Sequence, residues 1–216
     1  MNLQSFSFLA KGFKHPWTPT VLYLPLSAVL IFFTLYFVPF SYSTALFYIV
    51  IGILSWTLTE YILHRFVFHL NKVKEPWKTL TSKSHLQHHR DTQNLDLVIA
   101  PPLVSSVFAT IVFFIFALIT FSFAKATLMI AGLMIAYVSY EWAHYGAHRY
   151  NPKKGFFKYL KDYHLLHHFK DPRKAFGVTS PLWDFVFRTH LSSTVEVPSD
   201  KPQGIFERHR NNITVR

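Results

Sequence analysis

Residues Ala126–His148 read ATLMIAGLMIAYVSYEWAHYGAH. The run from Ala126 to Tyr140 carries no charge, and the chain then continues through Glu141 and Trp142 into His144 and His148, an H-x3-H pair one helical turn apart. A bilayer span needs roughly 20 consecutive apolar residues, so this run spans by extending through Trp142 toward His148. Its end therefore carries residue types that bind metals. Three more runs have no charged residue: Val21–Phe40, Tyr42–Thr59, and Leu97–Ala124 with Pro101-Pro102 near its start. Four such runs in 216 residues leave too little polar surface for a soluble protein with buried helices. Four transmembrane helices are predicted.

Charge orients them. Of the 22 Lys and Arg, two precede the first run, six lie between His64 and Leu95, and thirteen follow His148. Only Lys125, between the third and fourth runs, falls on the other side, and the connection Pro39–Ser43 has no charge. The positive-inside rule assigns the basic face, with both termini, to the cytoplasm, at a bacterial inner membrane or the endoplasmic reticulum. The net charge of +11 then reflects topology and attraction to anionic headgroups and needs no nucleic-acid partner. Residues 1–19 hold Lys11, Lys14 and Pro16 and lack the compact apolar core of a signal peptide. Phe6, Phe8, Leu9, Phe13 and Trp17 predict an interfacial segment there. The absence of cysteine excludes disulfides and thiolate ligands.

Ten of the 13 histidines fall in four clusters: His64 and His69 (H-x4-H); His85, His88 and His89 (H-x2-H-H); His144 and His148; and His164, His167 and His168 (H-x2-H-H). Counting spans puts every cluster at or beyond the cytoplasmic ends of helices, so clusters about 100 residues apart become neighbours at one face. Residues i, i+3 and i+4 share a helix face. His64 and His69 do not fit a regular helix, and a bend or helix end is expected between them. Ten imidazoles exceed the needs of one ion and suit two. His15, His190 and His209 are isolated and expected in solvent. Bound imidazole usually donates its second N–H to a carboxylate or carbonyl. Glu60, one turn before His64, and Glu141, three residues before His144, suit that role or direct ligation; Asp91, Asp162 and Asp184 are further candidates.

Imidazole suits iron, zinc, copper and nickel alike. A zinc hydrolase uses three or four protein ligands. Ten at a membrane face, above helices that can enclose a lipid tail, point instead to two irons that activate O2 against an unactivated C–H bond in a dry site. Zinc is a possible substitute in a preparation. A metal transporter is disfavoured, because transport sites lie near the bilayer midplane. The fold expected is an all-α integral membrane protein: four transmembrane helices and a dinuclear histidine-rich metal site at their cytoplasmic ends, which a family resemblance, carried by stretches between Glu60 and Asp184, places in a cytosolic helical cap. It forms one domain over 1–216, with transmembrane helices in 20–148, a cytosolic insertion at 64–95, and cap and tail at 149–216. Pro181 after Ser180 is expected to start a strongly apolar cap helix.

Several stretches carry a resemblance: Glu60–His69 (EYILHRFVFH), His85–His89 (HLQHH), Leu97–Pro102 (LVIAPP), Tyr140–His148 (YEWAHYGAH), His164–His168 (HLLHH) and Phe176–Asp184 (FGVTSPLWD). In order, spacing and flanking residues the chain resembles the integral-membrane fatty acid hydroxylase/sterol desaturase superfamily, and within it the fatty acid 2-hydroxylases, from Glu60 to about Thr189. The resemblance implies that the ten histidines are the metal ligands and that an acyl chain enters between the spans. It implies hydroxylation with O2 at carbon 2 of a fatty acyl group, free or in a sphingolipid. A desaturase, or a carotenoid- or sterol-type hydroxylase, uses the same scaffold. Where many eukaryotic relatives carry a cytochrome b5 domain, this sequence has none, so a separate electron donor is expected, cytochrome b5-like or ferredoxin-like with its reductase. The Tyr-Asp often found before the third cluster is Tyr140-Glu141 here.

Overall fold

The structure is a computed structural model that describes residues 15–69 and 84–191. The expectations for residues 1–14, for His209 and for the tail beyond 191 lie outside the described residues. Helix α1 runs Trp17–Phe37 and α2 runs Tyr42–Ile62, continuing into a π-helical turn, Leu63–Phe68. The short helix α3 (Ser84–Arg90) and a 3-10 turn (Leu95–Leu97) precede α4 (Pro102–Thr120) and α5 (Phe123–Arg149). Helices α6 (Phe156–Phe169) and α7 (Leu182–Val186) complete an all-helical fold with no strand among the described residues. Trp17–Pro19, read from sequence as interfacial, belong to the first span, and α7 begins one residue after Pro181.

Among the described residues, four helices are long and apolar enough to cross a membrane, and the protein is a membrane protein built on them. The fourth run spans as expected: α5 is one 27-residue helix that carries His144 and His148 on its last turns. The third span departs from one continuous helix. Pro101 and Pro102 disfavour helical geometry in the residues before them, so residues 98–101 leave the helix between the 3-10 turn and α4. Ser41 and Ser122 cap α2 and α5 by accepting the N–H of Thr44 (3.1 Å) and Lys125 (3.3 Å).

Helix α5 is the axis of the bundle. Its apolar stretch is 61 % buried, against 22 % or less for the other three spans, and α1, α2, α4 and α6 all pack on it. The core gathers Leu133, Met134, Tyr137 and Val138 of α5 with Tyr23, Trp56 and Phe116. Large apolar side chains point outward from α1 and α4, among them Phe32, Phe33, Leu118 and Ile119. That arrangement suits lipid as solvent. Tertiary hydrogen bonds tie the cap end of the bundle: Trp142 donates to Thr20 (2.9 Å), and the N–H of Ala100 to Glu141 (3.2 Å).

Helices α2 and α5 touch backbone to backbone. A Cβ on Gly52 would stand 1.9 Å from the carbonyl oxygen of Met129, and one on Gly132 2.1 Å from that of Ile49. Without a strong hydrophobic force between helices in lipid, such close approach of small residues is a main source of association. Gly52→Ala and Gly132→Ala are each expected to destabilise by about 1–3 kcal/mol through overpacking against backbone that cannot yield. Gly146→Ala, whose Cβ would meet Tyr150 at 3.6 Å, serves as the tolerated control. Thermal unfolding in detergent checks this; equal melting temperatures for all three would refute the contact's importance.

Candidate metal centre

The structure brings all ten clustered histidines together at the cap end of the bundle, in two groups of five. His64, His69, His85, His89 and His167 form one, and His88, His144, His148, His164 and His168 the other. Within each group the ligand-type nitrogens lie within 4.8 Å of one another. Helix geometry divides the clusters. On an α-helix residues i and i+4 lie about 40° apart while i+3 falls about 60° to the other side of i. So α3 sends His85 and His89 to the first group and His88 to the second. Helix α6 does the reverse, sending His164 and His168 to the second group and His167 to the first.

The five-residue spacing of His64 and His69 is resolved by the π-helical turn between them. In i→i+5 geometry the fifth residue on stands about one turn away, so the widened turn brings His69 under His64, with ring centroids 5.2 Å apart. His69 itself is the residue that ends the turn. The expected helix end is there, and the helix widens before it.

In the first group four Nε2 atoms form a closed square: His69 to His167 is 3.0 Å, His69 to His85 3.2 Å, His85 to His89 3.1 Å, and His89 to His167 3.1 Å. In the second group the chain His88–His148–His164–His168 has steps of 3.1, 2.9 and 2.9 Å. His64 and His144 are the fifth members, both buried, with Nε2 atoms that have no hydrogen-bond partner. These spacings test whether the residues fit an ion. Nitrogens bonded at about 2.0–2.1 Å to one ion and at right angles to each other stand about 3 Å apart, which matches both groups.

Protonation fits too. Burial, with repulsion from neighbouring rings, holds His85, His89, His164, His167 and His168 well below the usual imidazole range. Burial lowers His69 and His88 to about 4. The rings are therefore neutral at physiological pH, the form that binds metal. Two tautomers follow from the hydrogen bonds. His64 Nδ1–H donates to the Phe176 carbonyl (2.5 Å) and His167 Nδ1–H to the Lys174 carbonyl (2.7 Å), which leaves each Nε2 lone pair facing its group.

The carboxylates act one step away from the rings. Asp184 accepts the N–H of Phe176 (2.9 Å) and Gly177 (2.8 Å) and the hydroxyl of Thr189 (2.7 Å). Glu60 accepts the N–H of Val178, and the N–H (3.0 Å) and hydroxyl of Thr179. Four successive N–H groups of the loop after α6 are thus pinned by two buried acids, and that loop supplies the carbonyls that orient His64 and His167. Ala175, buried at φ 54°, and Gly177, whose Cβ would stand 2.0 Å from the Ser180 carbonyl oxygen, set its tight path. Glu141 accepts from Ala100 and from the Tyr137 hydroxyl (2.5 Å), holding the non-helical start of α4, while its Oε2 is buried with no partner. Asp162 pairs with Lys158 one turn away on α6. Asp91 is exposed beside α3, close enough to His88 to oppose the effect of burial on that ring. The sequence reading missed the Lys174 and Phe176 carbonyls and Tyr137, although Tyr137 lies at i−4 from Glu141, a spacing that puts two side chains in reach. His15 is exposed against Tyr145 (5.2 Å), and His190, expected in solvent, stacks on Phe185 at 3.8 Å.

A cavity of about 400 Å³ touches both histidine groups, at His85 and His144, and runs into the bundle as far as Val112 and Leu133. Its walls are mostly apolar, with Glu60, Glu141, Tyr137 and Tyr23 among the polar side chains that line it.

The sequence pattern of the fatty acid hydroxylase family matches residues 49–189. The chain belongs to that family. It is similar to a dihydroceramide fatty acyl 2-hydroxylase of Arabidopsis thaliana, at 39 % identity over 64 % of this chain and 58 % of the relative. It is also similar to a fatty acid 2-hydroxylase of Rattus norvegicus, at 36 % identity over 70 % of this chain and 41 % of the relative. A solved structure described as full-length scs7p, with only its hydroxylase domain visible, superposes with a TM-score of 0.74 at 30 % identity, over 85 % of this chain and 68 % of that one. The chain thus spans roughly half the length of the curated relatives it matches. The family and the histidine groups point to metal binding.

Asp184→Ala would leave two buried N–H groups without an acceptor and is expected to cost about 3 kcal/mol. Asp162→Ala removes only a part-exposed helix pair, worth about 0.5 kcal/mol or less. Melting temperatures of the two variants check the contrast; a harmless Asp184→Ala would show that the loop holds itself.

Proposed function

We propose that this protein is a di-iron, O2-dependent lipid hydroxylase that places a hydroxyl at carbon 2 of a fatty acyl group, free or in a sphingolipid. The observation that carries the reading is the apolar cavity that joins both histidine groups to the interior of the spans. It offers an acyl chain a path from the lipid to the metals and excludes water along it. The names of the relatives support the position of attack.

Each ion would be held by five imidazoles: His64, His69, His85, His89 and His167 at one site, His88, His144, His148, His164 and His168 at the other. Two bound irons would supply the redox chemistry by which one oxygen atom of O2 enters the C–H bond and the other leaves as water. That balance takes two electrons and two protons, and a cytochrome b5-like or ferredoxin-like donor is the proposed source of the electrons. The chain's own part is positioning. Glu60 and Asp184 hold the loop whose carbonyls keep the Nε2 atoms of His64 and His167 unprotonated and aimed. The neutral rings keep the site free of protons that would compete with the metals. The walls around Leu133 and Met134 hold the alkyl tail by apolar burial. The excess of Lys and Arg on one face supports a cytoplasmic location for the termini and the site.

Purified protein is expected to hold about two ions per chain. The pair His85→Ala and His89→Ala should lower that by at least one, and so should the pair His164→Ala and His168→Ala. Elemental analysis decides; either double variant retaining both ions would show that its group is not a metal site. Lipid mass spectrometry of an expressing host tests the reaction. A gain of one oxygen on acyl chains, placed at carbon 2 by fragmentation, is expected; only chains that have lost two hydrogens would make the protein a desaturase.

A further inference from the structure

The cavity has a floor, and the floor has a structural cause. Its deepest wall residues are Leu133 of α5 and Val112 of α4. Leu133 lies eleven residues below His144 on one uninterrupted helix, a depth of about 16 Å at 1.5 Å per residue. Val112 lies ten residues below the start of α4, which gives about 15 Å by the same measure. At this level the backbones of α2 and α5 close on each other, Gly52 against Met129 and Gly132 against Ile49. Phe116, Met129 and Ile130, all buried, fill the space beneath. Nothing as thick as an alkyl chain passes between two helices whose backbones touch.

Resting on the hydroxylase reading of the site, we propose that this floor is a ruler that selects acyl chains by length. An extended alkyl chain advances about 1.3 Å per carbon, from C–C bonds of about 1.5 Å at tetrahedral angles. A depth of about 16 Å therefore holds about 13 carbons below the one at the histidines. The preferred substrate class is an acyl chain of about 14 to 16 carbons, and a chain of about 24 is too long for the cavity. Leu133 and Val112 set the limit. Ala109, one turn above Val112 on α4 and also in the cavity wall, is where a larger side chain would raise the floor.

The test is retention of free fatty acids of about 12 to 24 carbons, chosen to bracket that length, by the purified protein in detergent, read by native mass spectrometry. Wild type is expected to retain the preferred lengths at least tenfold over the longest. Ala109→Phe should move the maximum shorter by about three carbons, since one turn up is about 4.5 Å. Leu133→Ala should move it longer. The two variants act in opposite directions, so either one that stays monodisperse decides the matter. Equal retention of all lengths by wild type, or an unmoved maximum in a monodisperse variant, overturns the ruler. Retention is read without turnover. A protein that sorts chains by length but adds no oxygen to them overturns the hydroxylase reading and leaves the ruler standing, and one that hydroxylates without sorting overturns the ruler alone.

Discussion

Neutral imidazoles whose Nε2 atoms face one another at about 3 Å are the constraint on which the rest of the structure turns. Lone pairs at that distance repel unless a cation or a proton lies between them, and burial of these rings disfavours the proton. The scaffold must hold them together before an ion can share them. That requirement explains where the buried polar groups have gone. Glu60 and Asp184 are costly inside a membrane protein, yet both are saturated by backbone N–H groups and hydroxyls of one loop. What they stabilise is the direction of two carbonyls. Direct contact between carboxylate and imidazole would have favoured the protonated ring. A carbonyl, carrying no net charge, fixes the tautomer and favours the protonated ring less, so that burial still keeps His167 neutral.

The two groups are built alike from opposite ends of the chain. Helix α2 with its π turn and helix α5 each contribute two histidines, the first of which is the buried fifth member of its group. Each is preceded by a buried glutamate that holds a non-helical segment, residues 178–179 for Glu60 and residue 100 for Glu141. The short cap helices α3 and α6 then cross over, each giving two rings to one group and one to the other. Because every H-x2-H-H helix serves both groups, neither group can shift without moving the other. That coupling holds the two proposed ions at a set separation by covalent connection.

Much of this was legible in the sequence. The charge-free runs show four spans, and span counting alone brings His64 and His168 to one face. Ten imidazoles already suggested about five for each of two ions, but which histidine joins which group was not legible, since i, i+3 and i+4 on one helix are neighbours whichever partner helix they meet. His64 and His69 defied a regular helix because their backbone is not one. The roles of Glu60, Glu141 and Asp184 were read one step too close to the metal. A carboxylate one turn from a histidine suggests contact, whereas the structure turns Glu60 toward a loop more than 100 residues away in sequence. Long-range backbone acceptors such as the Phe176 carbonyl leave no mark of residue type at all; only Gly177 hints that the chain turns tightly there.

Helix α5 links the chemistry to the shape of the cavity. Its last turns carry His144 and His148, its middle lines the cavity with Leu133 and Met134, and below that Gly132 draws it against α2. A straight, unbroken helix makes the distance from reacting end to floor a property of residue count, insensitive to side-chain motion elsewhere. The same backbone contact that holds the bundle together in lipid closes the cavity. Loosening it for a longer chain would therefore cost helix association, whereas a side chain on α4, such as Ala109, can change the depth and leave that contact alone. Selectivity for chain length is thus separable from stability at wall side chains such as Ala109 and bound to it at the backbone contact of α2 with α5.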